Sequence, residues 1–340
     1  MTRADSLTAG LARVPLAQWP TPLEAAPQLS AALGGPPLWV KREDLSGLAL
    51  GGNKTRQLEF LMAAALAEGA QALVTTAAVQ SNFCRACAAA GAKLGVKVGL
   101  LLRGSPDDEL QGNYLLDKVL GAELRFIDTR DPYDPRVPGW LDEFVADFSA
   151  RGLATQVLHL PGRSGTLGAA AMVCTGEEMA RQFAQQGLVP QAVFAAVGSG
   201  LTVAGMVLAF KALGVPARVV GISVQRPADF IKPLIVERAN AAAALLGLAL
   251  RVQAADFDID DRFMGSGYGV PSQGAVEAIL LGGRTEGLVF DPVYSGKALA
   301  GMLALVRDHT WHGAAPLVFF HSGGAPGLFA SAAQMRPWLP

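Results

Sequence analysis

Ala192-Val193-Phe194-Ala195-Ala196-Val197-Gly198-Ser199-Gly200-Leu201-Thr202-Val203-Ala204 is the stretch that decides the fold. Six apolar residues run without alternation, a Gly-Ser-Gly turn follows, and small and branched residues then open a helix. A strand that is apolar on both faces belongs to a sheet covered by helices on both sides. Outward from this unit the same alternation repeats. Leu38–Val40, Ala72–Thr75, Val96–Leu102, Glu123–Ile127 and Gln156–Leu160 read as strands before it, and Arg218–Val224 and Leu317–Phe320 after it. Helical patterns fill the intervals at Arg56–Glu68, Phe83–Leu94 and Thr166–Gln186. The order predicts an α/β fold with mostly parallel sheets. The Pro- and Asp-rich segment Asp128–Gly139 reads as a surface loop, and Gly162–Gly168, with three glycines, as a crossing between domains.

The chain has 340 residues, room for two domains at ~150 residues each. A hydrophobic content of 51% excludes wholesale disorder. Lys and Arg number 28 against 29 Asp and Glu, so no basic excess points to nucleic acid or to an anionic membrane. The longest apolar stretch, Ala241 to Leu250, is well short of the ~18 residues of a membrane span. The opening residues include Arg3 and Asp5 and lack the apolar core of a signal peptide. Cys84, Cys87 and Cys174 are too few and too odd in number for a disulfide framework. Reduced, buried thiols in a cytoplasmic protein are expected instead. The lone Cys84-x-x-Cys87 lacks two further ligands for zinc, so no metal is expected.

Four loops at the ends of predicted strands concentrate Gly, Ser, Asn and Tyr, and in open α/β sheets that is where ligands bind. In Gly51-Gly52-Asn53-Lys54 a lysine opens a helix, where the positive end of the dipole disfavours it. Either it is an amine nucleophile of lowered pKa that forms a Schiff base, or it is a solvated lysine after a glycine turn. Gln80-Ser81-Asn82 precedes an Ala-rich helix. It serves as an N-cap, and the same geometry could also bind a carboxylate. Gly198-Ser199-Gly200-Leu201-Thr202 is a phosphate cradle or a plain glycine turn. It is neither a P-loop nor G-x-G-x-x-G, because position 203 is Val, so a single small phosphate fits it better than a dinucleotide. The C-terminal loops bring Tyr268 within Gly265–Gly269, Tyr294 within Asp291–Tyr294, and His321-Ser322-Gly323-Gly324. A tyrosine there can stack on a ring and act as an acid, or pack on the surface; His321 reads as a packed loop residue. Together the loops specify a phosphorylated aromatic aldehyde with an amine partner, which is pyridoxal phosphate.

The sequence resembles the 1-aminocyclopropane-1-carboxylate (ACC) deaminase/D-cysteine desulfhydrase family. The match runs through Thr21–Glu24, Lys41–Asp44, Gly51–Phe60, Gln80–Leu94, Gly162–Gly168, Gly198–Gly205, Gly267–Ser272, Asp291–Met302 and His321–Ala330. The resemblance implies a tryptophan synthase β-like fold (fold type II), with two doubly wound, mostly parallel-sheet domains. The larger, cofactor-binding one would comprise residues 1–53 and 163–340, and the smaller one residues 54–162. It implies that Lys54 holds pyridoxal phosphate as a Schiff base and then shuttles protons, and that Asn82 bonds the ring's 3-oxygen. Asn53 with Gly198, Ser199, Gly200, Leu201 and Thr202 would hold the phosphate, Tyr294 would stack on the ring, and Ser322 would face the pyridine nitrogen. Ser81 and its neighbours Gln80, Asn82 and Phe83 would take the substrate, with Tyr268 on the substrate side. It also implies a homodimer.

Four positions depart from that pattern. Phe83 stands where His or Gln is usual, Gln57 where a lysine is common, Leu201 where glycine is usual, and Ser295 where ACC deaminases carry Glu. Ser295 turns the reading toward α,β-elimination and deamination of a small amino acid, such as D-cysteine or a sulfonated analogue such as cysteate, to pyruvate and ammonia. ACC deamination is the alternative enzyme reading. A protein that binds the cofactor or an amino acid without turnover is the alternative of another class.

Overall fold

The computed structural model describes residues 6–131, 134–159 and 162–339. In chain order the elements begin with β1 (Leu23–Ala25), α1 (Pro27–Leu33), β2 (Leu38–Arg42), α2 (Lys54–Ala67), β3 (Ala72–Ala78) and α3 (Asn82–Leu94). Next come β4 (Lys97–Arg103), α4 (Gly112–Val119), β5 (Glu123–Ile127), α5 (Val137–Ala150), β6 (Thr155–Val157) and α6 (Arg163–Gln186). The chain continues through β7 (Ala192–Val197), α7 (Leu201–Leu213), β8 (Arg218–Ser223), α8 (Ala228–Leu245), β9 (Phe257–Asp260) and α9 (Gln273–Glu286). It closes with α10 (Ser295–Arg307), β10 (Leu317–His321), α11 (Ala325–Ala330) and α12 (Ala332–Met335).

Two sheets result. One has the order β1-β2-β10-β7-β8-β9, parallel except for the β1–β2 pair. The other is parallel throughout, in the order β5-β4-β3-β6. Strand β7 shows why the apolar run requires helices on both faces. Val193, Ala195 and Val197 pack with residues of α6, α7 and α8, whereas Ala192 and Phe194 pack with α9 and α10. The predicted α/β class with parallel sheets is therefore the observed one.

The differences lie at the edges. Strands β1 and β9 escape the sequence reading because both are short edge strands, the first with two of three residues exposed. The Asp128–Gly139 stretch is not loop throughout, since α5 begins at Val137 with Pro138 in its first turn, a position proline favours. Leu160, Pro132, Tyr133, Arg3 and Asp5 lie outside the described residues. Cys84, Cys87 and Cys174 are free and buried, and burial raises each thiol's pKa. Among the described residues no helix is long and apolar enough to cross a membrane, and no acidic, His or Cys cluster could hold a metal.

Helix α2, which starts at Lys54, is fixed by a buried ionic network. Arg56 donates to Glu43 at 2.6 Å and to Glu178 of α6 at 3.2 Å, and its guanidinium lies 3.7 Å from the centre of the Trp19 ring. Lys41 of β2 pairs with the same Glu178 and donates to Thr21 O and Gln182. One turn further on, Glu59 accepts from Leu16 N, Ala17 N and Trp19 Nε1. The charged groups of this network are buried, so each relies on its partners rather than on water.

Candidate active site

The carboxyl ends of strands from both sheets open into one cavity of about 370 Å³. Asn53, Lys54, Ser81, Asn82, Phe83, Gly198, Ser199, Gly200, Leu201, Thr202, Tyr268, Tyr294 and Ser322 all line it. Gln80 does not. Its side chain braces α4, donating to Gln111 O at 3.0 Å and accepting from Asn113 N at 2.9 Å.

The lysine turn is shaped by contacts only glycine permits. Gly51 has φ +67°, and a Cβ there would lie 2.0 Å from Asp44 O. At Gly52, φ is +112° and a Cβ would stand 3.1 Å from Ser322 O. Asn53 N donates to Ser322 O at 3.1 Å, and Asn53 Nδ2 donates to Thr202 Oγ1 at 2.9 Å. The lysine turn is thereby joined to the β10 turn and to the glycine turn of β7. Lys54 Nζ has no hydrogen-bond or ion-pair partner among the described residues. Burial lowers its pKa to about 8, which keeps a sizeable neutral amine fraction near neutral pH.

Across the cavity, Gly200 (φ +80°) caps α7, and a Cβ on it would strike Ile235 at 2.5 Å. The first amides of α7 are thus left facing the cavity. Unpaired N–H groups at the positive end of a helix dipole make an anion site. Leu201 takes the first helical position, where no glycine is needed, and its side chain turns toward Gly168 of α6. The Tyr294 ring lies against Gly198, whose Cβ would come within 3.1 Å of it, and the Tyr294 and Tyr268 hydroxyls share a 2.6 Å hydrogen bond. Burial raises both phenols, so both stay protonated at neutral pH. The tyrosine turn is held by Asp291, which accepts from the backbone N–H groups of Val293, Tyr294 and Ser295 and from Ser295 Oγ at 2.7 Å. Ser295 thus points to Asp291 and does not line the cavity. Lys297 supports the other tyrosine's loop, donating to Met264 O and Gly267 O.

On the remaining wall, Ser81 Oγ accepts from Phe83 N and Cys84 N at 3.2 Å, the N-cap the sequence suggested. Its hydroxyl proton remains available to a ligand. Asn113 Nδ2 donates both to Gln80 O and to Asn82 Oδ1, each at 3.0 Å. Because a carbonyl only accepts, the first bond fixes the Asn113 amide, which in turn fixes Asn82 with its Nδ2 donor free. Gln57 is buried on the cavity wall, with Nε2 unpartnered among the described residues. His321 is a packed residue as read: Nε2 donates to Val289 O, Nδ1 accepts from Gly323 N, and the ring stacks 4.5 Å from Phe290.

Sequence reasoning missed Arg103, His159, Gln225, Arg226 and Arg238 on this wall. The first four sit at or just past the ends of β4, β6 and β8, so the strand-end rule that found the other loops reaches them as well. Arg238 lies within α8 and carries no such signal; it donates to Ser199 O.

These residues fit a phosphorylated ring aldehyde. The glycine cradle and the orphaned Gln57 amide suit a phosphate, Tyr294 offers a ring face, and Lys54 offers the amine. A two-sheet parallel α/β frame with such a lysine at its shared cavity defines the class of pyridoxal-phosphate enzymes of fold type II. Comparison with known proteins agrees: residues 14–323 match the model of the pyridoxal-phosphate dependent enzyme family, and the chain belongs to it. Within that family it falls in the ACC deaminase/D-cysteine desulfhydrase group, and its cofactor is pyridoxal phosphate. It is 36% identical to a 1-aminocyclopropane-1-carboxylate deaminase of Methylobacterium nodulans over 323 residues, 93% of this chain and 95% of that one. It is likewise 36% identical to a D-cysteine desulfhydrase of Salmonella choleraesuis over 324 residues, 94% of this chain and 95% of the relative. A crystal structure described as an ACC deaminase homologue superposes with a TM-score of 0.88 at 34% identity, covering 98% of each chain.

Proposed function

We propose that this lyase removes the β-substituent of a small amino acid such as D-cysteine, or a sulfonated analogue such as cysteate, releasing pyruvate and ammonia. The observation that carries the reading is Lys54, an amine without a partner among the described residues, set between the Ser81 helix start and the glycine cradle. Pyridoxal phosphate, when bound, supplies an electron sink for charge developing at the substrate's α-carbon. Asn53, Thr202 and the α7 amides would hold its phosphate, and Tyr294 would offer a face to its ring. Ser81 and the adjacent amides take the substrate carboxylate, which orients the α-hydrogen toward Lys54. Lys54 then removes that proton as a base. A sulfur leaving group departs as an anion and needs no proton from the protein. That suits a cavity wall where the one carboxylate among the described residues, Asp134, is already held by Arg136. A second reading, opening of the ACC ring, draws on the Tyr268–Tyr294 pair, since a carbon leaving group must be protonated and a phenol could do it.

The test is a panel of D- and L-cysteine, cysteate and ACC assayed for keto-acid release, run on wild type and Phe83→His. Pyruvate from a cysteine enantiomer or from cysteate is the expected result, and α-ketobutyrate from ACC would move the assignment to the second reading. A cofactor absorbance band near ~410–430 nm, lost in Lys54→Ala, is expected alongside. A retained band with no keto acid from any of these amino acids would mark a binding protein instead.

A further inference from the structure

Arg103 ends β4 in register with Ala78 of β3, so it leaves the small sheet beside the turn that carries Ser81. It lines the same cavity as Lys54, Tyr268 and Tyr294, yet it has no hydrogen-bond or ion-pair partner among the described residues, and its Nε is buried without one. Apart from Lys54, the other charges on the wall are engaged. Arg238 donates to Ser199 O, Arg226 lies 5.3 Å from the centre of the Phe230 ring, and Asp134 is held by Arg136 through bonds of 3.0 and 2.6 Å. Asp131 acts on Arg103 only from beyond ion-pair distance. Beside it the wall offers two further polar groups: Thr76 Oγ1, also buried and unpartnered among the described residues, and His159.

An arginine half withdrawn from water and left unpaired is costly unless a ligand brings the missing anion. On the reading above, the phosphate goes to the glycine cradle and the α-carboxylate to Ser81. Neither group serves Arg103. We propose that Arg103 binds a second negative charge, at the far end of the substrate's β-substituent, and that the enzyme selects acidic amino acids over their neutral isosteres. A planar guanidinium can grip a carboxylate or sulfonate with two parallel N–H bonds, and Thr76 can add a third donor. This inference rests on the lyase reading for the placement of the α-carboxylate.

Substrate analogues without an α-hydrogen bind but do not react, so binding can be measured apart from turnover. The experiment is calorimetric titration of the cofactor-loaded enzyme with α-methylaspartate and with its neutral isostere α-methylasparagine. Wild type should bind the acid at least tenfold more tightly. Arg103→Met should erase that preference while leaving the amide's affinity within twofold, and Arg103→Lys should keep part of it. Equal binding of acid and amide by wild type, or a preference that survives in Arg103→Met, overturns the proposal. The wild-type comparison decides even if a variant fails to fold. The two readings also separate: an Arg103-dependent acid preference with no keto acid from any amino acid upholds this site and removes the lyase assignment. Turnover without an acid preference does the reverse.

Discussion

At the scale of single residues, Lys54 concentrates the chemistry. Desolvation alone brings its pKa to about 8, with no neighbouring cation contributing. Only the neutral amine attacks an aldehyde. The rate at which apoenzyme captures pyridoxal phosphate should therefore rise about tenfold per pH unit below that value and flatten above it. Stopped-flow absorbance checks this, and a flat profile from pH 6 to 8 would contradict it. Asn53 is the second such residue, because its amide joins two turns through Thr202. Asn53→Ala should weaken cofactor retention by about tenfold, the worth of one well-placed hydrogen bond, measured by dialysis against free cofactor.

At the scale of elements, α2 and α3 place the reacting groups, and charged side chains hidden in the interior hold both helices. Arg56 serves Glu43 and Glu178 together; Arg56→Met leaves buried Glu43 without an ion-paired cation, while Glu178 keeps only Lys41. A loss of about 3–5 kcal/mol in urea unfolding is expected. On α3, Arg85 donates to Ala49 O and to Gly51 O, clamping a turn in which Ala49 and Leu50 both hold positive φ. Near Arg85 lies Asp117 of α4, whose carboxylate is buried without a hydrogen-bond partner among the described residues and whose pKa burial pushes up to about 8, Arg85 offsetting part of the rise. An unfolded aspartate titrates near ~4. Between those values the folded chain holds the extra proton, so this group's contribution to stability falls as pH rises, by at most ~1.4 kcal/mol per pH unit. Asp117→Asn should flatten that slope between pH 5 and 8 when denaturation midpoints of the two proteins are compared.

Legibility in the sequence follows the same physics. Strand β7 and its turn were readable because an apolar run and a glycine turn are local signals. The serine turn was readable because it follows a strand. The lysine turn follows short helical turns and the two tyrosine turns follow the missed β9 and α9; these stood out by their glycines, their lysine and their tyrosines. Arg103, at the end of β4, lay within reach of the strand-end rule, but its want of a partner and the place of Arg238 on the wall depend on which distant elements surround them. Gln80 sits one residue from the cavity wall yet turns toward α4, a choice made by Asn113 on that helix. The role of Ser295 was hidden for the same reason, because its hydroxyl serves Asp291 instead of facing the cavity.

At the scale of the whole molecule, two parallel sheets aim their carboxyl ends at one cavity, and we propose that residues 54–162 close on the rest to exclude water during reaction. Substrate analogues should then slow amide exchange at the ends of β3 and β4 more than in α9, measured by hydrogen–deuterium exchange; uniform protection would count against closure. The last strand has a further consequence. β10 lies between β2 and β7, and the turn after it supplies the carbonyl that grips Asn53 N. During translation, then, the β1–β2 pair has no further neighbour to join until residues 317–321 have left the ribosome. Vitamin loading must await the emergence of β10, and a message cut short before the codon for Leu317 should yield a product unable to retain the coenzyme.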